Sequence, residues 1–193
     1  MSEQEEIKKE QETDGTKKKS IGGEVWEYVR LIIIVVVAVV LLQNFVIVNA
    51  RIPSESMQNT IMVGDQIFGN RLAYRFSDPE RFDIVIFRYP DDESQLYIKR
   101  IIGLPGETVT IRNGKVYIDG SETPLDDSFC PETPSAKGDG VYEVPEGCYF
   151  MMGDNRNNSH DSRFWNNKFV ERDKILGKAV LRYWPLNRIS LIS

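Results

Sequence analysis

The sequence predicts an all-β domain, a coiled antiparallel β-sheet, that follows one amino-terminal transmembrane α-helix. An uncharged, almost entirely apolar run at residues 31–48 predicts the helix. Short runs of β-branched and aromatic residues beyond Arg51, repeatedly broken by turn residues, predict the sheet. The prolines that recur from Pro79 to Pro185 leave no room in that part of the chain for a long helix.

The apolar run divides the chain into three parts. Residues 1–24 are dense in Glu and Lys and have Ile7 and Ile21 as their only aliphatic residues, so we expect a disordered tail. Residues 25–48 are the expected membrane anchor, and residues 49–193 are the expected β-rich domain.

Positive charges flank the amino-terminal side of the anchor, with three lysines at 17–19 and Arg30. Trp26 and Tyr28 lie where an interfacial aromatic pair would meet membrane lipid. The positive-inside rule then predicts a single-pass protein of the cell membrane, with its tail in the cytoplasm and residues 49–193 outside it.

Two other interpretations of the apolar run remain open. A buried core helix would also be apolar, although this run lacks amphipathic spacing. A cleavable signal peptide is suggested by Val48, Asn49 and Ala50, which have the small-x-Ala pattern of a cleavage site. A retained anchor is favoured, because the run exceeds the usual signal-peptide core of about 7 to 15 residues and follows a long polar segment.

Strand predictions beyond the anchor are specific. The runs richest in β-branched and aromatic residues are 82–89, 96–104 and 175–184. Asn113 and Gly114 separate two alternating runs, which is the strongest hairpin signal in the chain. Residues 121–140 are predicted to form a polar surface loop.

Composition excludes several classes of function. The 24 basic and 29 acidic residues are spread along the chain, so no basic stripe exists to bind nucleic acid. One histidine and two cysteines provide too few ligands for a zinc centre, and we expect no metal or organic cofactor. The sequence leaves open whether Cys130 and Cys148 form a disulfide.

Nucleophilic catalysis by a histidine-based triad is also disfavoured. Ser159, His160 and Asp161 are consecutive, and adjacent side chains point in different directions, so we expect His160 to be an exposed loop residue. A GxSxG nucleophile elbow is absent from the sequence. A serine hydrolase of this sequence would need another base, and lysine is the usual substitute when it can be neutral.

Polar residues interrupt otherwise structural runs in three segments, residues 52–57, 97–100 and 153–163. Lys99 and Arg100 are neighbours in a predicted strand and therefore point to opposite faces, which directs one of them inward. An inward lysine is costly unless it is neutral or paired. By composition alone, a turn, a solvated strand and a salt-bridged loop would explain the segments equally well.

The three segments and a fourth short motif together resemble the bacterial type I signal peptidase (leader peptidase) family in its single-anchor, Gram-positive-like form. The motifs, in the family's order, are PSESM at 53–57, GD at 64–65, YIKRIIGLPG at 97–106 and GDNRNNSHDSR at 153–163. The resemblance covers about residues 45–185. It implies an all-β catalytic domain on a membrane anchor, which cleaves secretory preproteins after small-x-small residues.

The resemblance also implies a role for each matching residue. Ser56 matches the nucleophile and Lys99 the general base. Ser54 matches the residue whose hydroxyl joins the Ser56 backbone N–H in the oxyanion hole, and Ser159 the hydroxyl that orients the lysine amine. Structural ion pairs are implied for Asp161 with Arg163 and for Asp154 with Arg100.

Small substrate pockets are implied for the residues before the cut, lined by Ile52, Met57, Tyr97 and Ile98. The sequence departs from the family pattern at Asn59, where proline is common, and at Glu107, where aspartate is common. The first departure leaves the loop after Ser56 open to a different geometry.

Signal peptides of secretory preproteins are thus the expected partners, with no obligatory protein subunit. Two alternatives remain at this stage. One is another Ser-Lys processing peptidase of related fold, such as a self-cleaving repressor, although a 24-residue tail cannot be its DNA-binding domain. The other is a non-catalytic membrane-anchored β-domain, against which the presence of Ser56, Lys99 and Ser159 argues.

Overall fold

The computed structural model describes residues 21–130 and 132–192, and the first twenty residues of the predicted tail lie outside this range. Helix α1 (Ile21–Phe45) contains one stretch, Val25–Phe45, that is long and apolar enough to cross a membrane. Its large apolar side chains are exposed. The helix therefore begins within the segment whose composition predicts disorder.

The helix ends before the apolar run does. Ile47 and Val48, which the hydropathy pattern assigns to the anchor, belong instead to the first strand. Val48 pairs with Gly69 on the second strand and is almost fully buried in the core of the β-domain. Apolar composition alone cannot distinguish a residue that faces lipid from one that faces a protein core.

The rest of the described chain forms an all-β domain, which confirms the predicted fold class. Its strands are β1 (Ile47–Arg51), β2 (Gln66–Asn70), β3 (Ile84–Tyr89), β4 (Asp92–Gly103), β5 (Thr108–Arg112), β6 (Lys115–Ile118), β7 (Gly140–Glu143), β8 (Cys148–Met152), β9 (Val170–Glu171), β10 (Ile175–Trp184) and β11 (Ser190–Leu191).

An eight-stranded antiparallel sheet, ordered β1-β2-β10-β3-β4-β8-β9 with β11 on β10, forms the body of the domain. A separate three-stranded sheet, ordered β6-β5-β7, carries the predicted hairpin, whose turn is made by Asn113 and Gly114. Both turn residues have positive φ, as a tight hairpin of this kind requires. Residues 121–130 and 132–139 contain no strand, in agreement with the predicted loop.

The two faces of the main sheet pack into different hydrophobic clusters. The first core contains Ile52, Met57, Ile86 and Ile98. The second core contains Phe87, Trp165 and Val85, with Tyr89 and Tyr97 packed against it.

Alternation along β3 and β4 produces this separation. Ile86 lies opposite Ile98 and faces the first core, whereas Phe87 lies opposite Tyr97 and faces the second. Neighbouring residues of β4 therefore reach opposite sides of the sheet.

Strand β4 has one unpaired edge. It pairs with β3 along residues 96–100, but its pairing with β8 begins only at Arg100, opposite Met152. In the part of the chain that the structure describes, no strand lies on the other side of residues 95–99. Their outward backbone groups are therefore open to an added strand.

Cys130 and Cys148 are free thiols in this structure, each partly buried. Burial raises the pKa of the Cys130 thiol to about 11. Neither is therefore part of a disulfide here.

Candidate active site

The loop between β1 and β2 fixes Ser56. Backbone hydrogen bonds join Ile52 to Asp65 and Gly64 to Ile52, which closes the ends of the loop. Inside it, the N–H of Ile61 donates to the carbonyl of Met57 at 2.8 Å, and both side chains are fully buried in the first core. Ser56 directly precedes Met57 and is itself buried.

Lys99 reaches Ser56 from β4. Its side chain faces away from the first core and is only 3% exposed, and its Nζ donates to Ser56 Oγ at 2.6 Å. Burial lowers the pKa of Lys99 to about 8, from an ordinary value of 10.5, because the ammonium loses its hydration. The charges of Asp161 and Asp154 act in the opposite direction.

The two other serines expected at the site differ in environment. Ser54 is exposed, and its Oγ lies 3.3 Å from Ser56 Oγ, within hydrogen-bonding distance. Ser159 is buried, and its hydroxyl has no hydrogen-bond partner among the described residues. The structure thus brings Ser54 to Ser56, whereas the Ser159 hydroxyl makes no hydrogen bond to Lys99.

The loop of residues 153–163 packs against the loop that contains Ser56. The N–H of Asn155 donates to the carbonyl of Ser56 at 3.1 Å, and its side-chain amide donates to the carbonyl of Glu55 at 3.2 Å. Asn158 Nδ2 adds a hydrogen bond to Glu55 Oε2 at 3.1 Å. These contacts join two segments that are about a hundred residues apart in the sequence.

Two buried arginine–carboxylate pairs hold this loop in place. Arg100 donates through Nε and Nη2 to the two oxygens of Asp154, at 2.9 and 2.8 Å. Arg163 donates through Nε and Nη2 to Asp161, at 2.7 and 2.8 Å. Each is bidentate, which is the strong and directional form of this interaction.

Gly153 is a site residue that sequence reasoning missed. A Cβ at this position would overlap the backbone oxygen of Ser56 and the side chain of Ser159. Its N–H donates to Asp161 at 3.1 Å. Only a residue without a side chain lets the two loops approach so closely, and the sole available signal was a glycine at the start of a polar motif.

A cleft of about 480 Å³ opens beside the Ser56–Lys99 pair. It is lined by Ala50, Arg51, Ile52, Pro53, Ser54, Glu55, Ser56, Ile86, Gln95, Leu96, Tyr97, Ile98, Lys99, Asn158 and His160. Of the four expected pocket residues, Ile52, Tyr97 and Ile98 line it. Met57 does not, because it is fully buried in the first core beneath the cleft.

His160 is exposed, as expected of a loop residue, but it also lines the cleft. Its Nε2 lies 3.4 Å from Tyr89 Oη. The neighbouring Asp161 binds Arg163, so the local Ser-His-Asp string is not arranged as a triad. In residues 21–130 and 132–192, no cluster of His, Cys, Asp or Glu is placed to hold a metal ion.

The two departures from the family pattern have structural explanations. Asn59 has φ of 83°, a left-handed conformation that asparagine tolerates and proline cannot adopt. Glu107 accepts hydrogen bonds from Arg81 and, at 2.7 Å, from the N–H of Leu104. The loop after Ser56 therefore has a backbone conformation that excludes proline at position 59, whereas Glu107 stabilises a distant turn.

The fold and the site define a class of protein. An antiparallel β-domain presents a buried serine in hydrogen-bonding contact with a buried lysine, at the edge of a cleft. Pairs of serine and lysine are an established variant of the serine-hydrolase catalytic arrangement. The molecule is a serine endopeptidase.

Comparison with known proteins gives the family. The family model described as signal peptidase, peptidase S26, matches residues 25–184. The chain is 38% identical to a probable signal peptidase I-2 of Synechocystis sp., over 92% of this chain and 82% of that protein. It is 40% identical to a signal peptidase I of Leptolyngbya laminosa, over 77% and 74% of the two chains.

A third relative, a signal peptidase I of Bacillus amyloliquefaciens, is 36% identical over 92% of this chain and 96% of its own length. The chain belongs to the signal peptidase family, peptidase S26. The family resemblance of the four motifs is thereby confirmed.

Replacement of Gly153 by alanine tests the close contact between the two loops. We expect Gly153→Ala to lower kcat/KM on the order of 100-fold, because displacement of Ser56 by about 1 Å costs that much in catalysis. Gly140→Ala is the matched control, since its Cβ would meet only the end of Tyr142 at 3.3 Å. Peptide cleavage assays and thermal unfolding of both variants measure this. A Gly153→Ala enzyme as active as the control would contradict the assigned contact.

Proposed function

We propose that this protein removes signal peptides from secretory preproteins, with Ser56 as nucleophile and Lys99 as general base. The single observation that carries the residue assignment is the 2.6 Å hydrogen bond between Lys99 Nζ and Ser56 Oγ. Burial lowers the pKa of this lysine to about 8, so a substantial fraction of its amine is neutral near that pH. The family names of the relatives supply the substrate class.

In the first half of the reaction, neutral Lys99 accepts the hydroxyl proton of Ser56 while Oγ bonds to the carbonyl carbon of the scissile peptide. The resulting oxyanion accepts hydrogen bonds from the Ser56 backbone N–H and the Ser54 hydroxyl. When the C–N bond breaks, the Lys99 ammonium gives its proton to the leaving amine. An ester between Ser56 and the signal peptide remains.

In the second half, water replaces the amine. Lys99 takes a proton from the attacking water, the carbonyl carbon again becomes tetrahedral, and the ester bond breaks. The proton returns from Lys99 to Ser56 Oγ, which restores both residues. One base thus serves both halves of the cycle, because its two protonation states are close in free energy near its pKa of about 8.

Ser54 and Ser159 have supporting roles in this proposal. The exposed Ser54 hydroxyl is close to Ser56 and free to turn toward the oxyanion, and such a donor is typically worth about 3 kcal/mol in the transition state. The buried, unpartnered hydroxyl of Ser159 is available to orient the lysine amine. Its burial next to Gly153 supports this role, since an unsatisfied hydroxyl is otherwise costly.

The preprotein binds as an additional strand. Residues 95–99 present an unpaired edge of β4 along the cleft, and an extended peptide would hydrogen-bond to it and lead its scissile bond to Ser56. Ile52, Ile86 and Ile98 line one side of this path. Their branched side chains narrow this side of the path, which favours small substrate side chains before the cut.

We place the enzyme in the cell membrane, anchored by α1 and in contact with lipid, with the β-domain outside the cytoplasm. The apolar, exposed stretch Val25–Phe45 supports the anchor, and the lysines at 17–19 with Arg30 support the orientation. One chain contains both the serine and the lysine of the site, so the proposal needs no second protein subunit.

Alanine substitution tests the pair. Ser56→Ala and Lys99→Ala should each retain less than about 1% of the wild-type rate, and the double variant should be no worse, because the two residues act as one unit. Lys115→Ala, an exposed lysine on β6, is the control and should process normally. Mass spectrometry of a preprotein incubated with each variant gives the rate and the cut. A Lys99→Ala enzyme that keeps more than a few per cent of the activity would refute the assignment.

The pKa of Lys99 predicts the pH dependence. Only the neutral amine accepts the Ser56 proton, so kcat/KM should rise about tenfold per pH unit below pH 8 and level off above it. Lys99→Arg should be inactive at every pH, because a guanidinium does not release its proton in proteins. Steady-state assays from pH 5 to about pH 10 measure both. A flat profile, or an active Lys99→Arg enzyme, would require another base.

Protease protection tests the orientation. In intact spheroplasts, an added protease should cleave the β-domain and leave residues 1–24 protected, since the lysines retain the tail in the cytoplasm. Antibodies against each end identify the fragments, and detergent-treated spheroplasts provide the control in which both parts are accessible. Protection of the β-domain with loss of the tail would reverse the proposed topology.

A further inference from the structure

The cleft has two chemically different sides. Strand β4 directs Ile98 to the first core, where it joins Ile52 and Ile86, and all three also line the cleft. Tyr97 points to the other face, packs against the second core and likewise lines the cleft. One side is therefore aliphatic, whereas the other presents an aromatic ring.

His160 extends the aromatic side. The ring of Tyr97 stacks on Tyr89, with ring centroids 4.3 Å apart and planes 2° apart. His160 packs edge-to-face against the same Tyr89, at 6.3 Å, and its Nε2 lies 3.4 Å from Tyr89 Oη. Contacts with Tyr89 thus hold Tyr97 and His160 close to each other at the cleft. We call these two residues the Tyr97–His160 wall.

An added peptide strand alternates its side chains between these two sides. If the residue at the cut and the residue two positions earlier both face the aliphatic side, the residue between them faces the opposite side. That central residue is the one that a small-x-small pattern leaves unspecified. Beside Lys99 and Gln95, the Tyr97–His160 wall supplies the aromatic side chains that line the cleft.

We propose that the Tyr97–His160 wall binds the side chain of the residue two positions before the cut and favours a neutral aromatic side chain there. This inference rests on the proposed function and adds a specificity determinant to it. Tyr97 is partly buried and held by its stack, so it offers a fixed ring surface, and the exposed His160 ring lies beside it against Tyr89. Aromatic rings pair favourably with both.

Charges of both signs surround the wall and give no preference for a charged side chain. Asp91 accepts hydrogen bonds from Tyr89 Oη, at 3.0 Å, and from the N–H groups of Asn166 and Asn167. Burial, together with the carboxylates of Asp92 and Asp91, raises the pKa of Tyr97. Lys99 Nζ lies 5.5 Å from the centroid of the Tyr97 ring, so charges of both signs are present and a neutral ring is the side chain that depends on neither.

Three peptides that differ only at the central position, with Phe, Gly or Asp, test the inference on the full-length enzyme in detergent. The wild-type enzyme should cleave the Phe peptide with a kcat/KM about fivefold above that of the Gly peptide, mainly through a lower KM, and should cleave the Asp peptide no faster than the Gly peptide. His160→Ala should reduce the Phe-to-Gly ratio to less than about twofold, whereas His160→Phe should retain it. Lys137→Ala, an exposed residue of a neighbouring loop that does not line the cleft, is the control and should retain the ratio.

The outcomes separate this inference from the proposed function. An unchanged ratio in His160→Ala, or an equal fall in kcat/KM for the Phe and Gly peptides, assigns His160 to loop structure and overturns the inference. A wild-type enzyme that cuts all three peptides equally does the same while leaving the proposed function intact. Failure of the wild-type enzyme to cut any peptide after a small-x-small sequence overturns both.

Discussion

The desolvation of one amine, that of Lys99, is the constraint on which the rest of this structure depends. Lowering its pKa from 10.5 to about 8 corresponds to about 3 kcal/mol. Because the unfolded chain binds this proton more tightly, that free energy is lost from native stability below pH 8 and is recovered as the pH rises toward 10.5. The surrounding core must offset this cost.

The same strand carries a second cation that must stay charged. Arg100 follows Lys99 and therefore points to the opposite face, where it binds Asp154 through two hydrogen bonds. The charges of Asp154 and Asp161 both raise the pKa of Lys99. Each carboxylate is paired with an arginine that reduces its field at the amine. The buried ion pairs thus contribute twice, because they hold the loop of residues 153–163 in place and limit the charge that opposes a neutral lysine.

Local sequence signals were sufficient for the fold class, the hairpin at Asn113 and Gly114, and the strands that became β3, β4 and β10, because each depends on alternation or turn chemistry within a few residues. They were insufficient where contacts between distant segments determine the position of a residue. The apolar run could not show that Val48 leaves the helix to pair with Gly69. The sequence alone does not distinguish Gly153 from other loop glycines, because its close contact is with the backbone of Ser56, a residue distant in the sequence. His160 was predicted to be exposed, but its position at the cleft depends on Tyr89, seventy-one residues away.

The unpaired edge of β4 connects stability with function. An exposed strand edge invites aggregation, and natural sheets limit that hazard with polar residues and short open stretches. Here the outer half of β4 contains Asp92, Glu93 and Gln95, and pairing with β8 resumes at Arg100, directly after Lys99. The open stretch is therefore only as long as a short peptide segment, and it ends at Lys99. Since one strand supplies both the backbone edge that would hold a peptide and the amine that would accept the proton, binding in register also sets the distance from the scissile carbonyl to Ser56.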